Sequence, residues 1–194
     1  MAASFTRLLI EILKCEVCKA HLPLGPNPIL RANPEAKILI IGQAPGTKVH
    51  HSGIPWTDPS GNNLRTWLGV DKEMFYNAKN FAIMPMGFCY PGKGNSGDLP
   101  PRIECAPLWH ERVLKHLLKI ELILLVGSYS INHYLGDRKK ETLTETVKNF
   151  RDYLPKFFPL VHPSPRNIGW VKRNPWFMDD AVVELRKIIQ QQLQ

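Results

Sequence analysis

A three-layer α/β/α sandwich with a short, mostly parallel four-stranded sheet is the architecture that this 194-residue sequence predicts. Three observations carry it. Short apolar, β-branched runs alternate with stretches of helical periodicity, the pattern of β–α units feeding a parallel sheet. The runs are only four to six residues long, which suits buried strands and is too short for core helices. Two of them stop abruptly in Gly- and Pro-punctuated loops, at Gly42 and at His162, on the strand ends where such sheets place their binding sites.

Taken in order, Phe5 to Leu13 spaces apolar groups at helical intervals and predicts an amphipathic helix leading into Cys15-Glu16-Val17-Cys18. A Pro-rich connection from Pro23 to Pro34 precedes the first strand, Lys37 to Ile41. Leu64, Trp67 and Leu68 fall at i, i+3, i+4 and predict a helix starting near Asn62. Phe81 to Met86 reads as the second strand, and Gly87 to Pro101, rich in Gly and Pro, as loop. A helix over Arg102–Leu118, a strand over Glu121–Val126 and a helix opening at Gly127-Ser128 follow. Thr142–Phe150 is weakly helical, Phe157–Val161 is the last strand, and an amphipathic helix runs from Phe177 to about Leu193.

The length suits one domain over residues 1–194 with a sizeable core, and 44% hydrophobic with 22% charged residues argues against wholesale disorder. No apolar run is long enough to span a bilayer, and the N-terminus lacks the pattern of a secretory signal. A monomeric intracellular, cytoplasmic protein is therefore expected. The net charge of +8 favours a polyanionic partner, nucleic acid or anionic membrane, although a basic surface can also serve solubility alone.

The first loop reads Gly42-Gln43-Ala44-Pro45-Gly46 and runs on to Trp56-Thr57-Asp58-Pro59-Ser60-Gly61. Its glycines permit close backbone approach to a ligand, but it lacks the GK[ST] of a P-loop and the spacing of a dinucleotide fingerprint. Four cysteines are present, Cys15 and Cys18 as a C-x2-C turn and Cys89 and Cys105 separated by fifteen residues. A disulfide framework is improbable in an intracellular chain, and structural zinc usually takes two tight knuckles. A four-cysteine iron–sulfur cluster suits the spacing better, with buried unliganded thiols as the plain alternative.

Together the Gly42–Gly46 loop, the His162-Pro163-Ser164-Pro165-Arg166-Asn167 segment and the four cysteines resemble the uracil-DNA glycosylase superfamily, in its iron–sulfur-containing branches. The resemblance implies an early loop that holds base and water, a late His-Pro-Ser loop that grips base and DNA, and a [4Fe-4S] cluster on Cys15, Cys18, Cys89 and Cys105. Gln43 and Ala44 stand where many members carry an acid or Asn, and Met84-Pro85-Met86 where others carry Asn. The fifth, type-b family also lacks these catalysts and uses an Asp just after its first motif, the place of Asp58. The late loop looks like that of the single-strand-selective glycosylases.

On this resemblance the expected activity is hydrolytic excision of uracil, or a related deaminated base, from single- or double-stranded DNA. His162 would donate to a carbonyl oxygen of the departing base, and Asp58 would orient water and favour the cationic sugar. Gly42, Gln43, Ala44, Trp56 and Ser164 would shape the base pocket, and Arg166 and Asn167 would contact DNA. Each has a structural counterpart: a core histidine, an Asp-Pro turn initiator, a core tryptophan. The rival readings are a glycosylase of broader choice, taking hypoxanthine or mismatched thymine, and a binder that recognises lesions without cleaving them.

Overall fold

The computed structural model describes residues 2–95 and 97–194. Four parallel strands make the sheet: β1 (Ile38–Ile41), β2 (Phe81–Ile83), and two later ones, Leu122–Val126 and Phe157–Leu160. A separate two-stranded antiparallel hairpin, β3 (Lys93–Gly94) and β4 (Gly97–Asp98), lies between them in sequence, so the later sheet strands are β5 and β6. The sheet order is β2-β1-β5-β6, with Ile38 opposite both Phe81 and Leu122, and Ile123 opposite Phe157.

All four residues of β1 and all five of β5 are buried, because helices cover both faces of the sheet. Each such Ile or Leu contributes about 1.5–3 kcal/mol by burial. Intrinsic propensity differences are below about 1 kcal/mol per residue, so burial decides that these short runs are strands. After β1 the chain crosses to β2 on one side, then returns to β5 on the other. The C-terminal ends of β1 and β5 therefore flank the point where the winding reverses, and a crevice opens there.

The helices are α1 (Ala2–Leu13), α2 (Thr47–Ser52), α3 (Pro59–Leu68), α4 (Lys72–Tyr76), α5 (Cys105–Leu114), α6 (Ser128–Leu135), α7 (Leu143–Lys148), α8 (Ile168–Arg173) and α9 (Val182–Leu193). α1 buries Phe5, Leu8 and Ile12 at helical spacing and is tied to α5 by the Glu11–Arg112 ion pair. Thr142 and Glu145 form a reciprocal capping box at the start of α7. No helix is long and apolar enough to cross a membrane.

Several boundaries differ from the sequence reading. α3 starts at Pro59 rather than near Asn62, because Asp58 caps it and Pro59 occupies its first position. The Gly87–Pro101 stretch contains the β3–β4 hairpin, whose two-residue strands offer no alternation to read. α2, α4 and α8 were not anticipated; at five or six residues they lean on tertiary contacts rather than on periodicity. The C-terminal helix begins with a π-type turn over Phe177–Ala181 before α9 proper. α9 packs on α3, and its Arg186 donates to the carbonyls of Thr66 (2.8 Å) and Trp67 (3.3 Å) at the open end of α3. That contact steadies the helix whose other end faces the crevice.

Candidate active site and cysteine cavity

The early- and late-loop residues given roles from the sequence, Gly42, Gln43, Ala44, Trp56, Asp58, His162, Ser164, Arg166 and Asn167, all line one cleft of about 1660 Å³, open to solvent at the C-terminal ends of the strands. Gly42 ends β1, and its loop is fastened to the segment after β2. Met86 N–H donates to Gly42 O (2.9 Å) and Gly87 N–H to Gln43 O (3.0 Å). The Gln43 amide does not reach across the cleft; its Nε2 donates to Leu99 O at 3.4 Å.

Trp56 is the pivot of the early loop. It is the one described non-glycine residue with positive φ, at 59°, a conformation that costs of order 1–3 kcal/mol and persists only when its surroundings enforce it. They do. A Cβ on Gly42 would lie 2.8 Å from the Trp56 ring, and a Cβ on Gly61 would lie 1.8 Å from the Trp56 carbonyl oxygen, so only glycine fits at either place. Buried Arg65 donates to that carbonyl (3.0 Å) and to Asn62 Oδ1 (2.6 Å), while Tyr76 donates to Pro55 O (2.9 Å). The indole is thereby held beside the His162 ring, centroids 5.8 Å apart and planes 33° from parallel.

Asp58 and His162 come to this cleft from loops about a hundred residues apart. Asp58 Oδ1 accepts from Gly61 N–H at 3.1 Å as the cap of α3. Its second oxygen accepts no hydrogen bond from any described side chain or backbone group. His162 follows β6 and packs on Gly127, where a Cβ would stand 3.5 Å from the His162 Cβ. Burial lowers the His162 pKa below its ordinary 6.5, and the Asp58 carboxylate opposes that shift. The imidazole is thus neutral at pH 7 with an anion nearby.

The late loop is tied internally. Ser164 Oγ accepts from Arg166 N–H (3.3 Å), and Asn167 Nδ2 donates to His162 O (2.7 Å). The Asn167 amide therefore shapes the loop that carries His162. Asn63 of α3 donates to Pro163 O (2.8 Å), joining the two loops directly.

Sequence reasoning missed Asn63, Arg65, Lys93, Asp98 and Tyr129. Asp98 is the most consequential, since the β3–β4 hairpin brings a second carboxylate to the cleft, with a Cβ at Gly46 only 3.3 Å from its Oδ2. Partial burial raises its pKa, Arg166 and Lys93 oppose the rise, and the Asp58 charge adds to it. Arg166 lies over the hairpin as well, its Nη1 2.6 Å from where a Gly97 Cβ would be. An Asp-Leu-Pro-Pro run after a glycine is the only sequence signal, and it is that of a turn.

All four cysteines line a second, half-open cavity between the turn after α1, the segment after β2 and the start of α5. None is in a disulfide. Among the described residues, no three of His, Cys, Asp and Glu gather closely enough to hold a metal ion. Burial pushes the Cys89 thiol up to about 11 and that of Cys105 up to about 12, so neither is a reactive thiolate on its own. Phe88 N–H nevertheless points at Cys105 Sγ (3.3 Å), and the Asn27 backbone N–H at Cys89. Backbone donors aimed at sulfur suit metal-bound thiolates.

A model of the uracil DNA glycosylase superfamily matches residues 31–186. The type-4 uracil-DNA glycosylase of Thermotoga maritima is 23% identical over 159 residues, covering 79% of this chain and 78% of its own length. That relative carries a type-4 name, whereas the position of Asp58 pointed to the type-b family; the superfamily is common to both. The matched span contains both cleft loops, the hairpin and two of the cysteines, on a four-stranded parallel sheet covered on both faces. The chain belongs to the uracil DNA glycosylase superfamily.

Proposed function

We propose that this protein hydrolyses the N-glycosidic bond of uracil, or a related deaminated base, in DNA. The observation that carries the proposal is the meeting of Asp58 and His162 in one cleft beside the Trp56 ring. A base taken from single-stranded DNA or flipped from a duplex would lie against the indole. Breaking the C1′–N bond sends negative charge to the base carbonyls, where neutral His162 donates a hydrogen bond that strengthens as charge develops. The sugar becomes oxocarbenium-like, and water adds at C1′, releasing a proton that balances the charge of the departing base anion. The uncommitted oxygen of Asp58 stabilises that cation and orients the water. Arg166, with Lys172 and Arg173 in the last turn of α8, supplies positive charge for the phosphates.

The test is incubation with oligonucleotides carrying uracil, hypoxanthine or mismatched thymine, single- and double-stranded, followed by alkali. Strand scission at uracil is the expected result. Retention on the lesion without scission would leave a binding protein, and preference for another base would give the broader glycosylase.

We further propose that Cys15, Cys18, Cys89 and Cys105 hold a [4Fe-4S] cluster rather than zinc. Bound there, it would supply a structural cross-link, tying the turn after α1 to the loop before α5. Protein purified without air should be brown, with broad absorbance near roughly 400 nm. Cys89→Ala should be colourless and melt at lower temperature, because ligand binding and folding share this site. Colourless wild-type protein with stoichiometric zinc would overturn the assignment. One core draws on elements from Phe5 to Ile189, which supports a single domain over residues 1–194.

A further inference from the structure

Between the cleft and the cysteine cavity runs a single strap, residues 84–89. Its first half pairs with the early loop through the Met86 and Gly87 amides, and Pro85 lines the cleft. Its second half reaches the cysteines: Phe88 N–H bonds Cys105 Sγ, and Cys89 is itself one of the four. At the middle sits His110, 3% exposed, on α5. One ring nitrogen, Nε2, lies 3.1 Å from Pro85 O; the other, Nδ1, lies 2.7 Å from the Tyr134 hydroxyl. A carbonyl can only accept, so Nε2 carries the proton and donates, and Nδ1 accepts from Tyr134 O–H. The ring also stacks on Phe88, centroids 5.7 Å apart and planes at 15°.

We propose that His110, anchored at its other nitrogen by Tyr134, is a positioning residue that fixes this strap, and with it the Gly42–Gln43 side of the base cleft. It touches neither the cleft nor the cysteines and acts through Pro85 and Phe88. Tyr134 anchors the ring from α6, so three elements are locked at one point. Neutral imidazole is the only form that can both donate to Pro85 and accept from Tyr134. Burial holds it there, lowering the His110 pKa to about 4, with the Pro85 bond opposing and nearby His133 adding. The consequence for excision rests on the glycosylase reading above; the fixing of the strap does not.

The experiment compares full-length His110→Leu, His110→Gln and Tyr134→Phe with wild-type protein. Gln places an N–H near where Nε2 was; Leu places none. Tyr134→Phe leaves the imidazole but removes the hydroxyl that anchors its Nδ1, and it loses only one oxygen, so it serves if His110→Leu fails to fold. Amide exchange read by mass spectrometry over residues 84–89 should lose about tenfold or more protection in His110→Leu and Tyr134→Phe, since opening then lacks its clamp. Single-turnover excision should fall by about tenfold in both, as expected for a sub-ångström misplacement, while affinity for uracil-containing DNA changes less than about twofold. His110→Gln should restore both. Wild-type protection in His110→Leu and Tyr134→Phe overturns the clamp, and lost protection with an unchanged rate overturns its role in positioning. Wild-type protein without excision removes the glycosylase reading alone, and the exchange measurements still decide the clamp.

Discussion

His162→Ala should lower single-turnover excision of uracil by about a hundredfold or more, the scale of removing one preorganised donor from a developing anion. The loss should appear in the chemical step and leave DNA affinity nearly unchanged, because the donor matters most once charge has moved onto the base. The geometry makes the donor neutral. Burial depresses the His162 pKa below 6.5, and Asp58 only partly restores it. The excision rate should therefore fall to half only below pH 6.5, where the folded-state imidazole takes up a proton. Stability follows the same sign. Below 6.5 the unfolded chain binds a proton that folded His162 resists, so this residue's linkage costs stability as pH falls, and costs none above 6.5. A rate that halves at or above pH 6.5 would mean that the imidazole is not held neutral, and a His162→Ala rate within a few-fold of wild type would take the donor role from it.

Much of this site was legible because it is built where apolar runs meet punctuation. Ile38–Ile41 and Phe157–Leu160 announce themselves by hydrophobicity, and the loops behind them by Gly and Pro. What could not be read is what the chain assembles from weak local signals. The β3–β4 hairpin has two residues per strand, so nothing in its pattern revealed that Asp98 would stand in the cleft. Arg65 reads as an exposed helix cation and is instead buried under Trp56, its charge spread over a carbonyl, an amide and the rings of Phe75 and Tyr76. Asn167 reads as a groove-facing amide, and nothing in the motif announces that one of its N–H groups also holds His162 O. Such roles depend on contacts between segments far apart in sequence, and periodicity carries no information about them.

Asp58 is where the local reading and the chemical one compete, and one substitution separates them. Asp58 caps α3 with Oδ1, and Asn is as good a cap as Asp, whereas Ala costs about 0.5–2 kcal/mol at such positions. Asp58→Asn should thus keep the melting temperature of the wild type and the placement of Gly61 and Trp56. It removes the negative charge from the oxygen that the cap does not use. If that charge stabilises the sugar cation and orients water, excision should fall by about 10²–10⁴-fold, with lesion binding retained. Asp58→Ala should lose the same activity and also melt earlier, so stability and rate move together in one variant and apart in the other. The depression of the His162 pKa should deepen in Asp58→Asn, because the anion opposing it is gone. Excision at the wild-type rate in Asp58→Asn would leave Asp58 as a helix cap. Asp98, the other carboxylate of the cleft, would then be the group to change next, and loss of activity in Asp98→Asn alone would move the water to the hairpin side.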